Sequence, residues 1–95
     1  MNKQERKKIY NEAIKRYGIR NQKFMVMEEC GELLNVLAKS NRSRVTIPEI
    51  ITELADVSIM VEQMAFFYGW DEYLAEKVRK LERLQERLLE KGDET

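Results

Sequence analysis

Histidine is absent from the 95 residues, and that absence removes more chemistry than any other. It excludes Ser-His and Cys-His triads, histidine-containing zinc sites and the Glu-x-x-His ligand pairs of di-iron bundles. A metal here must be held mainly by oxygen, which favours magnesium, manganese or calcium. The lone cysteine, Cys30, cannot form an internal disulfide, so a reducing, cytoplasmic setting is expected. One proline and four glycines punctuate the chain, and no Val/Ile/Thr-rich alternating segment is present, so strands are not expected. No apolar run approaches the roughly 18 residues of a membrane span, and the opening MNKQERKK lacks the apolar stretch of a secretion signal. The 17 basic and 17 acidic residues cancel. With no helix carrying a continuous basic face, neither nucleic acid nor membrane is an expected partner.

What remains reads as helix from end to end, and as a single domain over residues 1–95. The first helix is expected from Lys3 to Tyr17, with Gly18 as its stop, and the second from Asn21, as N-cap, to Ser40. A polar connection, Asn41-Arg42-Ser43-Arg44, follows. Thr46 and Glu49 form a capping box, with Pro48 in the first turn, and this third helix ends at Gly69. The fourth runs from Trp70 or Asp71 to Glu90 and stops at Gly92. Connections this short predict an all-α, four-helix antiparallel bundle-like protomer.

The apolar faces say how it packs. On the second helix Val26, Met27, Cys30, Gly31, Leu33, Leu34, Leu37 and Ala38 form an arc expected to be buried. The third helix is apolar nearly all round, from Ile50 to Tyr68, and needs partners on several sides. A chain this short buries a modest fraction of its surface, so assembly into a homodimer or homotetramer is expected.

Charge collides with this apolarity at one place. Glu53 and Asp56, three apart on the third helix, share a face with Met60 and Phe67. Two like charges on a largely buried helix are costly unless something neutralises them. On the second helix Glu29 and Glu32 are also three apart, with Glu28 beside them, opposite the apolar arc. Antiparallel helices turning these pairs toward each other would build a four-carboxylate cage of the kind hard divalent cations take. The plainer reading of Glu-Glu-x-x-Glu is a solvated helix face; the matching pair within an apolar helix tips the balance. Glu49 is accounted for by its cap, and Glu62, on the opposite side of the third helix, reads as structural or surface.

The string Glu28-Glu29-Cys30-Gly31-Glu32, then twenty residues, then Glu53-Leu54-Ala55-Asp56, resembles the E-E-x-x-E … E-x-x-D signature of the MazG-like, all-α nucleoside triphosphate pyrophosphohydrolases. The match spans Asn21 to Leu88. The resemblance implies that Glu29, Glu32, Glu53 and Asp56 ligate Mg2+ (or Mn2+), and that Glu28 holds a further metal or orients the attacking water. It implies hydrolysis of a nucleoside triphosphate to monophosphate and pyrophosphate, with cleavage between the α and β phosphates, in a homodimer or tetramer. With no histidine available, Glu53 or Glu28 would accept the water's proton.

A triphosphate also needs cations. Lys77 lies within the apolar stripe of the fourth helix (Trp70, Leu74, Leu81, Leu84, Leu88), and Lys80 and Arg83 flank it. All three are candidate phosphate contacts. Lys80-Leu81-Glu82-Arg83 resembles the family's Lys-(Phe/Leu)-x-Arg element, whereas Glu76 and Val78 stand where many members carry lysine and asparagine. Lys39, Arg42 and Arg44 are near enough for phosphate but read as a solvated loop. Tyr17, Phe24, Trp70 and Tyr73 are the aromatic candidates for a nucleobase. The rival readings are a phosphoribosyl-ATP pyrophosphohydrolase, whose signature is similar, and a non-catalytic helical oligomerisation or adaptor module. Its small size points to a stand-alone house-cleaning or phage-encoded enzyme rather than half of a fusion.

Overall fold

The computed structural model describes residues 1–42 and 44–91, which form four helices: α1 (Lys3–Tyr17), α2 (Ile19–Ser40), α3 (Ile47–Tyr68) and α4 (Trp70–Lys91). Ser43 of the expected connection and Gly92, the expected stop of α4, lie outside the described residues. Two helices start on capping boxes. Asn2 and Glu5 exchange bonds at the head of α1, and Thr46 and Glu49 do so at the head of α3, satisfying amides that have no partner within a helix. Gly18 takes a φ of +87°, which disfavours a side chain, and breaks α1 from α2 in one residue. Because the chain re-enters the helix at once, α2 starts at Ile19 rather than at Asn21. Asn21 is not its cap; its side-chain amide donates instead to the Tyr17 carbonyl at the end of α1 (2.7 Å).

The most extensive packing is between α2 and α3, which run antiparallel, with α1 laid against both. Glu62 of α3 ties α1 down. One of its carboxylate oxygens accepts from Arg6 Nε (2.6 Å) and from the Tyr10 hydroxyl (2.8 Å). Beside this anchor, Tyr10, Phe66, Trp70 and Tyr73 form a chain of ring contacts, with Phe66 stacked on Trp70 at 4.1 Å between centroids. The turn at Gly69 sends α4 away. It packs against α3, reaches α1 through Lys3 over the Trp70 ring, and makes no close approach to α2 among the described residues. The four helices therefore do not close into a bundle within one protomer. The radius of gyration is 16.4 Å, against about 12 Å for a compact chain of this length.

Within the single chain, burial covers only part of the expected apolar faces. The apolar arc predicted as the buried face of α2 is largely bare, with Met27 66%, Leu34 71% and Leu37 42% exposed. What α2 turns inward is Gln22, Val26, Glu29, Leu33 and Val36. The reason is that the carboxylate faces of α2 and α3 meet, which leaves the arc on the outside. On α3, Ile47, Ile51, Leu54 and Ile59 are likewise exposed, as are Leu74, Val78, Leu81, Leu84 and Leu88 along α4. The accessible surface is 7779 Å², whereas a folded monomer of this mass would show about 5,700 Å².

Candidate metal centre

Helical register places the acidic residues. Met25, Glu29, Glu32, Val36 and Lys39 follow one another at alternating spacings of four and three on α2, while Glu49, Glu53, Asp56 and Met60 do the same on α3. Each series is one stripe, and the two stripes face each other in opposite directions. Where they cross, one carboxylate oxygen each from Glu29, Glu53 and Asp56 lies within 4.8 Å of the other two. All three side chains are half-buried.

The electrostatics of this cluster are those of a cage without a counter-charge. Burial first, then the carboxylates of Glu32, Asp56, Glu53 and Glu28, raise the Glu29 carboxyl above its ordinary value. Glu53 is raised for the same reasons: burial first, then Glu32 and Asp56. Glu32 thus belongs to the cluster through its charge, although it is exposed, and Glu28 sits at its edge, exposed and acting on Glu29. Oε2 of Glu29 and Oε2 of Glu53 are both buried without any hydrogen-bond partner. None of the five carboxylates takes part in an ion pair among the described residues. Buried, unpartnered carboxylate oxygens converging from two rigid helices suit a hard cation that takes oxygen ligands. Glu29, Glu53 and Asp56 could hold such a cation, with Glu32 alongside.

The cations proposed from sequence lie elsewhere in the protomer. Lys77 sits 5.7 Å from the Tyr73 ring centroid and acts on Glu62 rather than on the cluster. Lys80 is 3.8 Å from Glu76, which also pairs with Arg79, and Arg83 is exposed on α4. The structure brings Glu29, Glu32, Glu53 and Asp56 together and leaves Lys77, Lys80 and Arg83 on the diverging helix. Of the aromatic candidates, Trp70 and Tyr73 are taken up in the ring cluster at the α3–α4 turn. Tyr17 and Phe24 line a cleft with Asn21, Gln22, Met25 and Met60. Glu49 is the cap it was expected to be, its Oε2 accepting from Thr46 N–H (2.8 Å).

Two residues had more to say than the sequence reading allowed them. Glu62 is the anchor of α1; the signal was present in Arg6 and Tyr10, four apart and so on one face of α1. Lys39, set aside with Arg42 and Arg44 as solvated residues around the connection, is on the last turn of α2 and lines a cleft with Glu53. Its spacing from Glu32 through Val36 carries that placement. Comparison with protein-family models, with curated proteins and with solved structures finds no match. The likeness to MazG-like hydrolases therefore rests on the motif residues alone.

Proposed function

We propose that the chain is a magnesium-dependent nucleoside triphosphate pyrophosphohydrolase acting as a homo-oligomer. The observation that carries the reading is the pair of buried, partnerless oxygens on Glu29 and Glu53, set among acidic neighbours and facing each other across two helices. A protein has no structural use for such an arrangement, since each unsatisfied oxygen and each like-charge contact opposes folding. A divalent cation removes both costs. Glu29, Glu32, Glu53 and Asp56 would hold it; when bound, it neutralises phosphate charge and lowers the pKa of water at the site.

The chain's own residues supply the rest. The carboxylates sit on helices rigid enough that a cation held there, and a triphosphate beside it, would keep one position. Glu28, exposed at the edge of the cluster, or Glu53 within it takes the proton released by water as water attacks phosphorus. The oxygen bridging the α and β phosphorus atoms keeps the electron pair of the broken bond, and pyrophosphate leaves. The homo-oligomer rests on the excess of about 2,000 Å² of exposed surface over a monomer of this mass, with apolar side chains exposed on the α2 arc and the α4 stripe. A second copy covering those faces would also bring another α4, with its Lys77, Lys80 and Arg83, to the surface of the first. The test is pyrophosphate release from the eight common ribo- and deoxyribonucleotides with and without magnesium. Magnesium-dependent monophosphate formation, lost in Glu53→Gln, is the expected result; no release from any nucleotide would sink the proposal.

A further inference from the structure

The groove between α2 and α3 does not end at the carboxylates. A cleft opens at each end of them, and the two clefts differ in chemistry. Toward the start of α2, one turn before Glu29 and one turn after Asp56, lies the cleft of about 570 Å³ lined by Tyr17, Asn21, Gln22, Phe24, Met25 and Met60. No charged residue lines it. The cations at that end, Arg20 and Lys23, lie over the rings of Phe24 (6.0 Å) and Tyr68 (5.2 Å). Toward the end of α2 lies the cleft of about 360 Å³ that contains Glu53 itself, together with Val36, Lys39, Val45 and Thr52. Lys39 is its one lining cation, and it enters none of the ion pairs among the described residues. Glu49 also lines this cleft, one of its carboxylate oxygens accepting from the Thr46 amide. The Lys39 carbonyl accepts from the amides of Arg42 (2.9 Å) and Arg44 (3.3 Å).

A nucleoside triphosphate has the same polarity: an aromatic, amide-bearing base at one end and the highest density of negative charge at the other. Resting on the hydrolase reading above, we propose that the groove binds its substrate in one direction only. The base lies in the Phe24–Met25–Met60 cleft, and Lys39 holds the phosphates that depart as pyrophosphate. Flat apolar and thioether surfaces with Asn21 and Gln22 at hand suit a base, through stacking and amide hydrogen bonds. An ammonium about 10 Å along the helix from Glu32, seven residues at the α-helical rise, suits a phosphate beyond the one at the cluster. Lys39 is then a positioning residue for the leaving group, and the direction it imposes puts the phosphorus nearest the nucleoside at the carboxylates.

Calorimetric titration of the whole protein, in magnesium, with inorganic pyrophosphate and separately with the monophosphate of its best nucleotide substrate tests the direction. Lys39→Ala should weaken pyrophosphate about tenfold and leave the monophosphate unchanged, with Lys39→Arg restoring most of the loss. Phe24→Ala should do the reverse. A cation on the last turn of a helix also complements the helix dipole; if that were its whole role, Lys39→Ala would lower the melting temperature and leave both titrations as they were. That result, or a loss of monophosphate binding in Lys39→Ala, overturns the inference while wild-type turnover still stands. A wild-type protein that hydrolyses none of the eight nucleotides removes the hydrolase reading, and this inference with it.

Discussion

Glu53 and Glu62 are the same residue type on the same helix, two and a half turns apart, and their surroundings are opposite. Glu62 accepts from Arg6 and Tyr10, and the Arg6 guanidinium holds its carboxyl below the ordinary value. Glu53 meets burial and other carboxylates, which push it up, and one of its oxygens has no partner. Where a carboxylate serves the fold, the chain supplies the donors; this one acceptor ties two side chains of α1 to α3. Where donors are withheld from a half-buried carboxylate, its charge is left to be relieved by a proton or by a cation. The contrast turns a motif into a physical claim, because it separates a group that stabilises the protein from one that strains it.

The largest effect that sharpens the contrast is on turnover. Glu53→Gln keeps the shape and removes the charge, so it should lower magnesium-dependent pyrophosphate release by three orders of magnitude or more, roughly the 4 kcal/mol of transition-state stabilisation that such charge supplies. Its metal-free melting temperature should hold or rise, because a repulsion has been removed. Glu62→Gln should do the opposite, with turnover per folded molecule near wild type and stability lower by about 1–2 kcal/mol, the pair with Arg6 being partly screened. Equal loss of turnover in both variants would break the distinction.

Magnesium itself should separate the two regions next. Bound at a hundred times its dissociation constant, it would stabilise the fold by about 2.7 kcal/mol, read as a rise in melting temperature of roughly ten degrees or more for a chain this size. Wild type and Glu62→Gln should both show the rise, and a Glu29→Gln/Glu53→Gln double variant should not. A helical adaptor with decorative acids would be indifferent to the ion.

Protonation divides them with opposite signs. Glu29 and Glu53 bind their protons more tightly folded than unfolded, so without metal they favour the fold while protonated, and that contribution is lost as pH rises from the ordinary carboxylate range through their raised values. Glu62 binds its proton less tightly when folded. Its contribution is present above the unfolded carboxylate value and is lost as pH falls through its lowered one. In metal-free melting curves from pH 4 to 7, wild type should therefore lose stability with rising pH relative to Glu29→Gln/Glu53→Gln, while the Glu62→Gln difference from wild type should shrink toward acid.

Helix content was legible throughout, because capping residues, glycine stops and 3.6-residue periods are local signals. The Thr46–Glu49 box and the Gly18 and Gly69 breaks stand where the residues placed them. The meeting of Glu29 with Glu53 and Asp56 was legible too, since equal spacing on two antiparallel helices leaves few alternatives. What periodicity does not carry is which surface an apolar stripe meets. Met27, Leu34 and Leu37 form a well-defined arc, and so do Leu81, Leu84 and Leu88, yet both are exposed in the protomer. An arc states that a helix has an apolar face, not which surface, if any, of the same chain covers it. Asn21 was misjudged for a related reason: a cap is one of two uses of a side-chain amide near a helix break, and the abrupt turn at Gly18 selected the other.

The smallest expected effect tests the anchor at the resolution of one atom. Tyr10 is buried, packs its ring at 5.8 Å from that of Phe66, and donates its hydroxyl to the Glu62 oxygen that also accepts from Arg6. Burial first, then this bond and the Glu62 charge, push its hydroxyl up to about 12, so it remains a donor across the physiological range. Tyr10→Phe keeps the ring contacts and deletes the donor. Glu62 retains Arg6, so no charge is stranded, and the expected cost is about 1 kcal/mol, or roughly 4–8 °C in melting temperature. Turnover and the magnesium-induced rise should be unchanged. If they fall as well, the Glu62 anchor and the carboxylate cluster are coupled through α3, and the two glutamates are no longer independent parts of the molecule.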